Sequence, residues 1–177
     1  MLKSLPLSEV YTLLEPGPVV LLTTVHRGRA NVMAMSWHMM MEFNPPRIAC
    51  LVSGANHSFA ALRKTRECVI AIPPAALAPQ VVEVGNASGR DLDKFAAFGL
   101  TPVPAKRVAA PLVAECFADL ECKVVDTRLV PKYNLFVLEV VQAWIDPRRK
   151  KAKTLHHHGY GTFVVDGETI RLRSGKP

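Results

Sequence analysis

The sequence predicts a mainly β (α+β) fold, a barrel of short strands with helices at its periphery. Segments rich in β-branched and aromatic residues recur at short spacing along the 177 residues, with few helical segments between them. Glycine and proline turn signals separate these segments, whereas a doubly wound parallel sheet would place a helix between successive strands. We find no internal repeat and no convincing linker, so we expect one domain over residues 1–177.

The predicted strands begin with a hairpin. Val19–Val25 is a continuous β-branched and leucine run, and a turn at Gly28 leads into a second strand from Ala30. Pro45-Pro46 then separates the segment Trp37–Phe43 from the strand Ile48–Ser53. The later strands are Cys68–Ile72, Cys116–Val125 and Leu135–Ile145, followed by a small hairpin from Thr162–Val165, Gly167 and Ile170–Leu172. Helices are predicted over Ser8–Leu14, Ser58–Thr65, Leu77–Val84 and Leu92–Phe98.

The chain is basic, with a net charge of +7, and this favours anionic partners such as nucleic acid or phosphorylated cofactors. Most of the excess comes from one cluster, which a solvated basic loop would explain. A basic nucleic-acid-binding module is the rival function. The cluster has no interleaved aromatic residues to stack on bases and no accompanying recognition motif, so we expect no nucleic-acid partner. Its members are Arg148, Arg149, Lys150, Lys151 and Lys153.

Cysteine usage and hydropathy predict a cytoplasmic protein. Cys50, Cys68, Cys116 and Cys122 show no Cys-x-x-Cys spacing, and each lies in an apolar run typical of buried free thiols. The first residues lack the apolar core of a signal peptide. Because no apolar stretch approaches the roughly 18 residues that a membrane helix needs, we expect no membrane partner.

The common catalytic and nucleotide-binding motifs are absent. The segment Gly85–Arg90 has two glycines but not the spacing of a dinucleotide-binding loop, and there is no phosphate-binding loop or nucleophile elbow. His156-His157-His158 suggests a metal, but consecutive histidines point in different directions and seldom form a tetrahedral site alone. We therefore expect no metal site, and no conventional catalytic residue is predicted.

Two segments carry a sharper signal. The first has Asn31 and Ser36-Trp37 on a strand, then Asn44-Pro45-Pro46, then Ser53-Gly54-Ala55-Asn56-His57-Ser58. The second is Ser88-Gly89-Arg90-Asp91-Leu92-Asp93-Lys94-Phe95. At these residues the chain resembles the flavin reductase-like FMN-binding family, in particular its flavoredoxin-like branch. The likeness covers roughly residues 18–145 in the expected order.

The resemblance implies a split β-barrel that forms a homodimer, with FMN at or near the subunit interface and NADH or NADPH as electron donor. Ser58, at a helix start, and Lys94 are assigned to the FMN phosphate. Asn31 is assigned to the polar edge of the ring or the ribityl chain, and Trp37 offers a flat apolar surface. The full set of implied cofactor contacts is Asn31, Ser36, Trp37, Ser53, Asn56, Ser58, Ser88, Lys94 and Tyr160.

Three of these residues also have an ordinary structural explanation. Trp37 would serve as a core residue, Asn31 as a strand-end turn residue, and Lys94 as a solvated helix lysine paired with Asp91 or Asp93. For function, the leading hypothesis is an oxidoreductase that passes electrons from a nicotinamide to flavin or onward to an acceptor protein or free flavin. The alternatives are a flavoredoxin-like electron carrier and a non-catalytic flavin- or haem-binding barrel.

Overall fold

A seven-stranded antiparallel sheet forms the centre of the protein, in a computed structural model that describes residues 17–149 and 152–170. The strand order is β2-β1-β5-β8-β9-β4-β3, and two small two-stranded sheets, β6-β7 and β10-β11, lie outside it. The strands are β1 Val20–His26, β2 Arg29–Met35, β3 His38–Phe43, β4 Pro46–Leu51, β5 Glu67–Ile72, β6 Pro102–Val103, β7 Leu112–Val113, β8 Ala118–Asp126, β9 Leu135–Ile145, β10 Leu155–His157 and β11 Phe163–Val165.

The two edges of the central sheet, β2 and β3, are consecutive in the chain and are joined only by Ser36 and Trp37. One face of the sheet surrounds a core to which β1, β2, β4, β5, β8 and β9 all contribute, including Leu22, Cys50 and Phe136. A sheet that encloses a core and brings its first and last strands together in this way is a barrel left open along one seam. The predicted mainly β barrel is confirmed.

Among the described residues, four α-helices lie around the barrel: α1 His57–Thr65, α2 Ala78–Asn86, α3 Lys94–Ala97 and α4 Val130–Tyr133. Short 3-10 turns occupy Ala75–Leu77 and Pro147–Arg149. Helix α1 packs into the barrel core through Leu62, whereas α2 and α3 cover the outer face of β1 and β2. Strand β1 is therefore buried on both faces, which explains why its sequence is continuously apolar rather than alternating. None of the helices in the described residues is long and apolar enough to cross a bilayer.

The predicted elements agree closely with the observed ones, and the differences have local causes. Strand β9 has the predicted bounds, but α3 begins two residues later than predicted, because the Asp93 carboxylate caps it by accepting from the backbone N–H groups of Phe95 (3.0 Å) and Ala96 (3.3 Å). The predicted tail hairpin is wrong in its pairing, since Phe163–Val165 pairs with the preceding Leu155–His157. The helix predicted over Ser8–Leu14, and most of Ile170–Leu172, lie outside the described residues.

Two acidic residues on β8 face the same side of the strand and differ sharply in environment. Glu121 is fully buried, and its carboxylate accepts from the Trp144 indole (2.7 Å) and from the backbone N–H groups of residues 106–108. Burial would raise the pKa of Glu121, but these hydrogen bonds outweigh it, so the pKa is lowered. Burial raises the pKa of Asp119 to about 6, because one hydrogen bond, from the Val113 N–H (3.0 Å), is the opposing influence. Glu121 therefore holds the loop before β7 against the barrel.

We expect Glu121→Gln to destabilise the fold by about 2–3 kcal/mol in urea unfolding at pH 7, because an amide NH₂ would face hydrogen-bond donors. The matched variant Asp119→Asn should be neutral or stabilising at pH 7, since it removes a poorly compensated buried charge. A lowered pKa makes the Glu121 contribution present at neutral pH and lost as the pH falls below about 4. Glu121→Gln should therefore lose less stability than wild type on acidification; an equal loss would contradict this role.

Candidate functional site

A polar pocket of about 190 Å³ lies where β2, the start of α1 and the segment between α2 and α3 meet. Asn31, near the middle of β2, donates from its side-chain amide to the Ser58 hydroxyl at 2.8 Å. Both side chains are buried, Ser58 at 1% and Asn31 at 8% exposure. The alternative that Asn31 is a strand-end turn residue is therefore wrong, and Asn31 instead connects the sheet edge to α1.

Lys94 contributes the cationic group of this polar pocket. Its side chain is 5% exposed, and Nζ donates to the Val84 carbonyl, near the end of α2, at 2.7 Å. Burial lowers the pKa of the Lys94 amine. The interpretation as a solvated lysine paired with Asp91 or Asp93 is therefore wrong. An ammonium group has three donors, so Lys94 can keep the Val84 carbonyl and still donate to a bound anion.

Gly89 presses directly against Asn31. A Cβ at position 89 would lie 2.0 Å from the Asn31 Oδ1 and 3.0 Å from the His57 Cδ2, distances at which neighbouring atoms must move. The glycine of the Ser88-Gly89-Arg90 segment therefore lets the backbone approach the sheet closely. Ser88, beside it, lines the polar pocket and accepts from the Arg90 N–H at 3.2 Å.

A larger, more apolar hollow of about 470 Å³, the tryptophan pocket, adjoins the polar pocket and shares Met33, Ala34 and Asn56 with it. Its lining also includes Ser36, Trp37 and Ser53, which were predicted from the sequence, and Tyr133, which was not. Trp37 is 53% exposed, so the alternative that it is a core residue is wrong. An exposed indole in a concave surface offers a flat apolar face to a ligand.

A third hollow of about 290 Å³ continues from Ala34, Ser36 and Gly85 to the β10-β11 hairpin, where His157 and Phe163 line it. Tyr160 is 84% exposed, has a φ of 50°, and lines none of these three hollows. Eight of the nine predicted contact residues thus border one continuous groove along β2, and Tyr160 alone is set apart from it. The role of Tyr160 stays a prediction.

The structure adds residues that the sequence gave little reason to select. Tyr133 and Asn134 enter the tryptophan pocket from the end of α4, a four-residue helix too short for a periodic signal. Asn134 adopts a left-handed conformation, and its carbonyl accepts from the Val52 N–H at 3.1 Å. An asparagine before the apolar run of β9 was the available clue, since asparagine is favoured at such helix ends.

Side chains of the histidine run and of the basic cluster make contacts with nearby residues. His156 Nε2 lies 2.7 Å from the Asp166 carboxylate, and the His157 ring packs against Phe163 with centroids 5.0 Å apart, so the two side chains point in different directions. Within the described residues no cluster of three or more potential ligands could hold a metal ion. Arg148 and Arg149 both pair with Asp146, at 3.1 and 3.5 Å, while Lys150 and Lys151 lie outside the described residues.

The barrel with a polar pocket beside an aromatic one places the chain in a known class. Residues 13–163 match the model of the flavin reductase like domain, so the chain belongs to the flavin reductase-like family. A similar protein, the uncharacterised YddH of Escherichia coli K12, is 36% identical over 89% of this chain and 91% of its own length. An uncharacterised protein of Pyrococcus abyssi is 31% identical over 75% of this chain and 76% of its own length.

Two solved structures are similar over almost the whole chain. Flavoredoxin of Desulfovibrio vulgaris (Miyazaki F) is 27% identical, with a TM-score of 0.86 over 99% of this chain and 98% of its own. An FMN-binding domain of a flavin reductase-like enzyme from Shewanella baltica OS155 is also 27% identical, with a TM-score of 0.84 over 97% of each chain. The flavoredoxin-like resemblance and the split-barrel fold predicted from the sequence are confirmed.

We expect Gly89→Ala to destabilise the protein by about 1–3 kcal/mol, because the new methyl group would displace the Asn31 amide from Ser58. Thermal and urea unfolding measure the loss. Gly167→Ala is the matched control, since a Cβ there meets nothing within 4 Å. Equal stability of the two variants would show that Asn31 moves aside at no cost and does not fix this corner.

Proposed function

We propose that this chain binds FMN in the groove along β2 and transfers electrons from NADH or NADPH to that flavin, or through it to an acceptor. The observation that carries this proposal is the continuity of a buried, cation-bearing polar pocket with an open aromatic pocket. FMN has the same two parts, a phosphate at one end and a flat ring system at the other. The family membership and the two FMN- and flavoredoxin-named structures support the same conclusion.

The polar pocket suits the phosphate end. Ser58 lies in the first turn of α1, where backbone N–H groups and the helix dipole favour an anion, and the preceding Asn56 makes no side-chain capping bond to those groups. Lys94 adds a full positive charge from the opposite wall. A charge-assisted contact in such a buried place is stronger than one in water. Asn31 and Ser88 would contact the ribityl or phosphate oxygens.

The tryptophan pocket suits the ring. Trp37 and Tyr133 supply flat apolar surface, and Ser36, Ser53 and Asn56 supply polar groups for the edge of an isoalloxazine. A flavin held there would supply the hydride- and electron-transfer chemistry, and these residues would bind, orient and shield it. No side chain is required as a proton donor or nucleophile. The flavoredoxin-like carrier is the second candidate, and it differs in keeping its flavin bound and reducing another protein.

The direct experiment is the visible spectrum of the purified protein, before and after FMN is added, followed by anaerobic addition of NADH or NADPH. We expect oxidised-flavin absorption that a nicotinamide bleaches. Retention of the flavin through gel filtration would favour the carrier, and exchange with free FMN would favour a reductase. A protein that stays colourless in the presence of FMN would contradict the proposal, and a flavin that neither nicotinamide reduces would remove the donor from it.

Replacing Lys94 tests the phosphate assignment. Lys94→Met keeps the aliphatic bulk and removes the charge, so we expect the Kd for FMN to rise by about 10- to 100-fold, as for loss of one charge-assisted hydrogen bond. Riboflavin, which lacks the phosphate, should bind wild type and variant alike in fluorescence titrations. Lys123→Met, on the exposed side of β8, is the control. An equal loss for both flavins would assign Lys94 to the fold alone.

A second copy of this chain is the proposed partner of the exposed edge strand. Every residue of β3 after His38 is exposed, with Met39 at 63%, Met40 at 53% and Phe43 at 90%. Strand β9 is paired to β4 as far as Glu139. In the part of the chain that the structure describes, its last residues, including Ile145 at 58% exposure, therefore have β8 as their one strand neighbour. Unpaired apolar edges are the surfaces that subunit contacts cover. The tryptophan pocket opens next to β3, so a dimer would complete its wall.

We expect light scattering to give twice the mass of one chain for the wild type. Met40→Lys, in the middle of β3, should shift the protein toward the monomer, because it would place a charge within an apolar contact. Val164→Lys makes the same change on exposed β11 and should leave the mass unchanged. A monomeric wild type that binds FMN would contradict the proposed dimer and would show that the site is complete in one chain.

The remaining sequence-based expectations stay proposals. Location in the cytoplasm is supported by the four cysteines, all of which are buried free thiols. The absence of a nucleic-acid partner is supported by the pairing of Arg148 and Arg149 with Asp146, which neutralises part of the basic cluster. A salt-sensitive submicromolar complex with DNA or RNA would reverse that expectation.

A further inference from the structure

A fourth cavity, of about 320 Å³, borders Asn31 and Gly89 and lies beside the β1-β2 turn. We call it the arginine cavity, because Arg27 and Arg29 from the β1-β2 turn and Arg90 from the segment before α3 line it. It shares Asn31, Asn56, His57 and Gly89 with the polar pocket, so the two spaces are continuous at the proposed phosphate end of FMN.

The three arginines bring unneutralised positive charge together. The guanidinium groups of Arg27, Arg29 and Arg90 make no ion pair with a carboxylate among the described residues, in contrast to Arg128, Arg148 and Arg149. Loss of solvation lowers the pKa of His57, and the charges of Arg90, Arg29 and Lys94 lower it further, against the exposed carboxylate of Asp91. The potential in the cavity is therefore positive, and it is concentrated by the concave wall.

The floor of the arginine cavity holds an unsatisfied group. Thr24 on β1 lines the cavity, is 1% exposed, and its Oγ1 has no hydrogen-bond partner in the described part of the chain. A buried hydroxyl without a partner is costly and usually indicates a missing ligand or water. The planar, multiple N–H donors of arginine match the oxygens of a phosphate.

We propose that the arginine cavity is a second phosphate subsite, which binds the adenosine phosphate half of a dinucleotide beside the FMN site. The inference rests on the proposed flavin function, because it places the second phosphate next to the first. Two ligands carry this chemistry: FAD, whose pyrophosphate would run from the polar pocket into the cavity, and NADPH, through its adenosine 2′-phosphate. The arginine cavity shares lining residues with the polar pocket, and Trp37 does not line it. It therefore offers positive charge for a phosphate rather than a flat surface for a ring.

The test compares two double variants that each remove two positive charges. Arg29→Ser/Arg90→Ser alters the cavity, and Arg63→Ser/Lys64→Ser alters the exposed last turn of α1 outside it. For the flavin-free protein, we expect the cavity variant to raise the Kd of FAD at least tenfold while FMN changes less than threefold. For the FMN-loaded protein, calorimetry with ADP and with adenosine 2′,5′-bisphosphate reports the subsite directly. The control variant should leave all four affinities unchanged.

The outcomes separate the two sources and the two proposals. A selective loss of FAD and ADP identifies the flavin dinucleotide, and a selective loss of the bisphosphate, with a raised NADPH KM, identifies the nicotinamide. Equal effects of the cavity and control variants would overturn the subsite, as would a tenfold loss of FMN itself, which would show that the arginines hold the FMN phosphate. ADP titration of the flavin-free chain tests the subsite even where FMN does not bind, so the two proposals can fail separately.

Discussion

The hydrogen bond from Asn31 to Ser58 is the contact on which the rest of the groove depends. It joins the edge strand β2 to α1 through two residues that are 27 positions apart in the chain. Gly89 then packs against the same amide, so a third segment is positioned by the first two. This hydrogen bond and the close approach of Gly89 therefore position two walls of the polar pocket, the start of α1 and the Ser88-Gly89-Arg90 segment, against the same Asn31 side chain.

Two buried charged side chains, Lys94 and Glu121, are each held in place by hydrogen-bond partners. Lys94 is held by the Val84 carbonyl and lines the polar pocket together with residues at the start of α1. Burying a charged lysine costs free energy, and a hydrogen-bond partner compensates part of the lost solvation. On the other side of the barrel, Glu121 has the same character: four donors converge on one carboxylate and fix a long loop. These two charged groups therefore differ from the buried Thr24 hydroxyl, which has no hydrogen-bond partner in the described part of the chain.

The sequence predicted the strands well, because short β-branched runs between glycine and proline turns leave few alternatives. It predicted the groove through the ordered motifs, which the structure brings together at β2 except for Tyr160. It did not predict features that lack a sequence period or that have two comparable pairing partners. The short helix at Tyr133 is too brief to show a period. Phe163–Val165 has a short apolar segment on either side, and it pairs with the preceding Leu155–His157 rather than with the predicted following segment. Similarly, the burial of Lys94 cannot be inferred from a motif that ends in Asp-Lys-Phe, where a solvated lysine would look the same.

The seam between β2 and β3 has a consequence for how the molecule moves. Within residues 17–149 and 152–170, each of these strands has a hydrogen-bonded neighbour strand on one side, and the link between them is two residues long. Edge strands with one neighbour are where local opening costs least, so amide hydrogens along the seam should exchange with solvent before those of β5 and β8. A ligand lying along β2 would contact both edge strands, β2 and β3. Its binding free energy would add to the free energy needed to separate them. The cofactor would then connect the two edge strands of the barrel. Local opening along the seam would be less frequent in the FMN-bound protein than in the FMN-free protein.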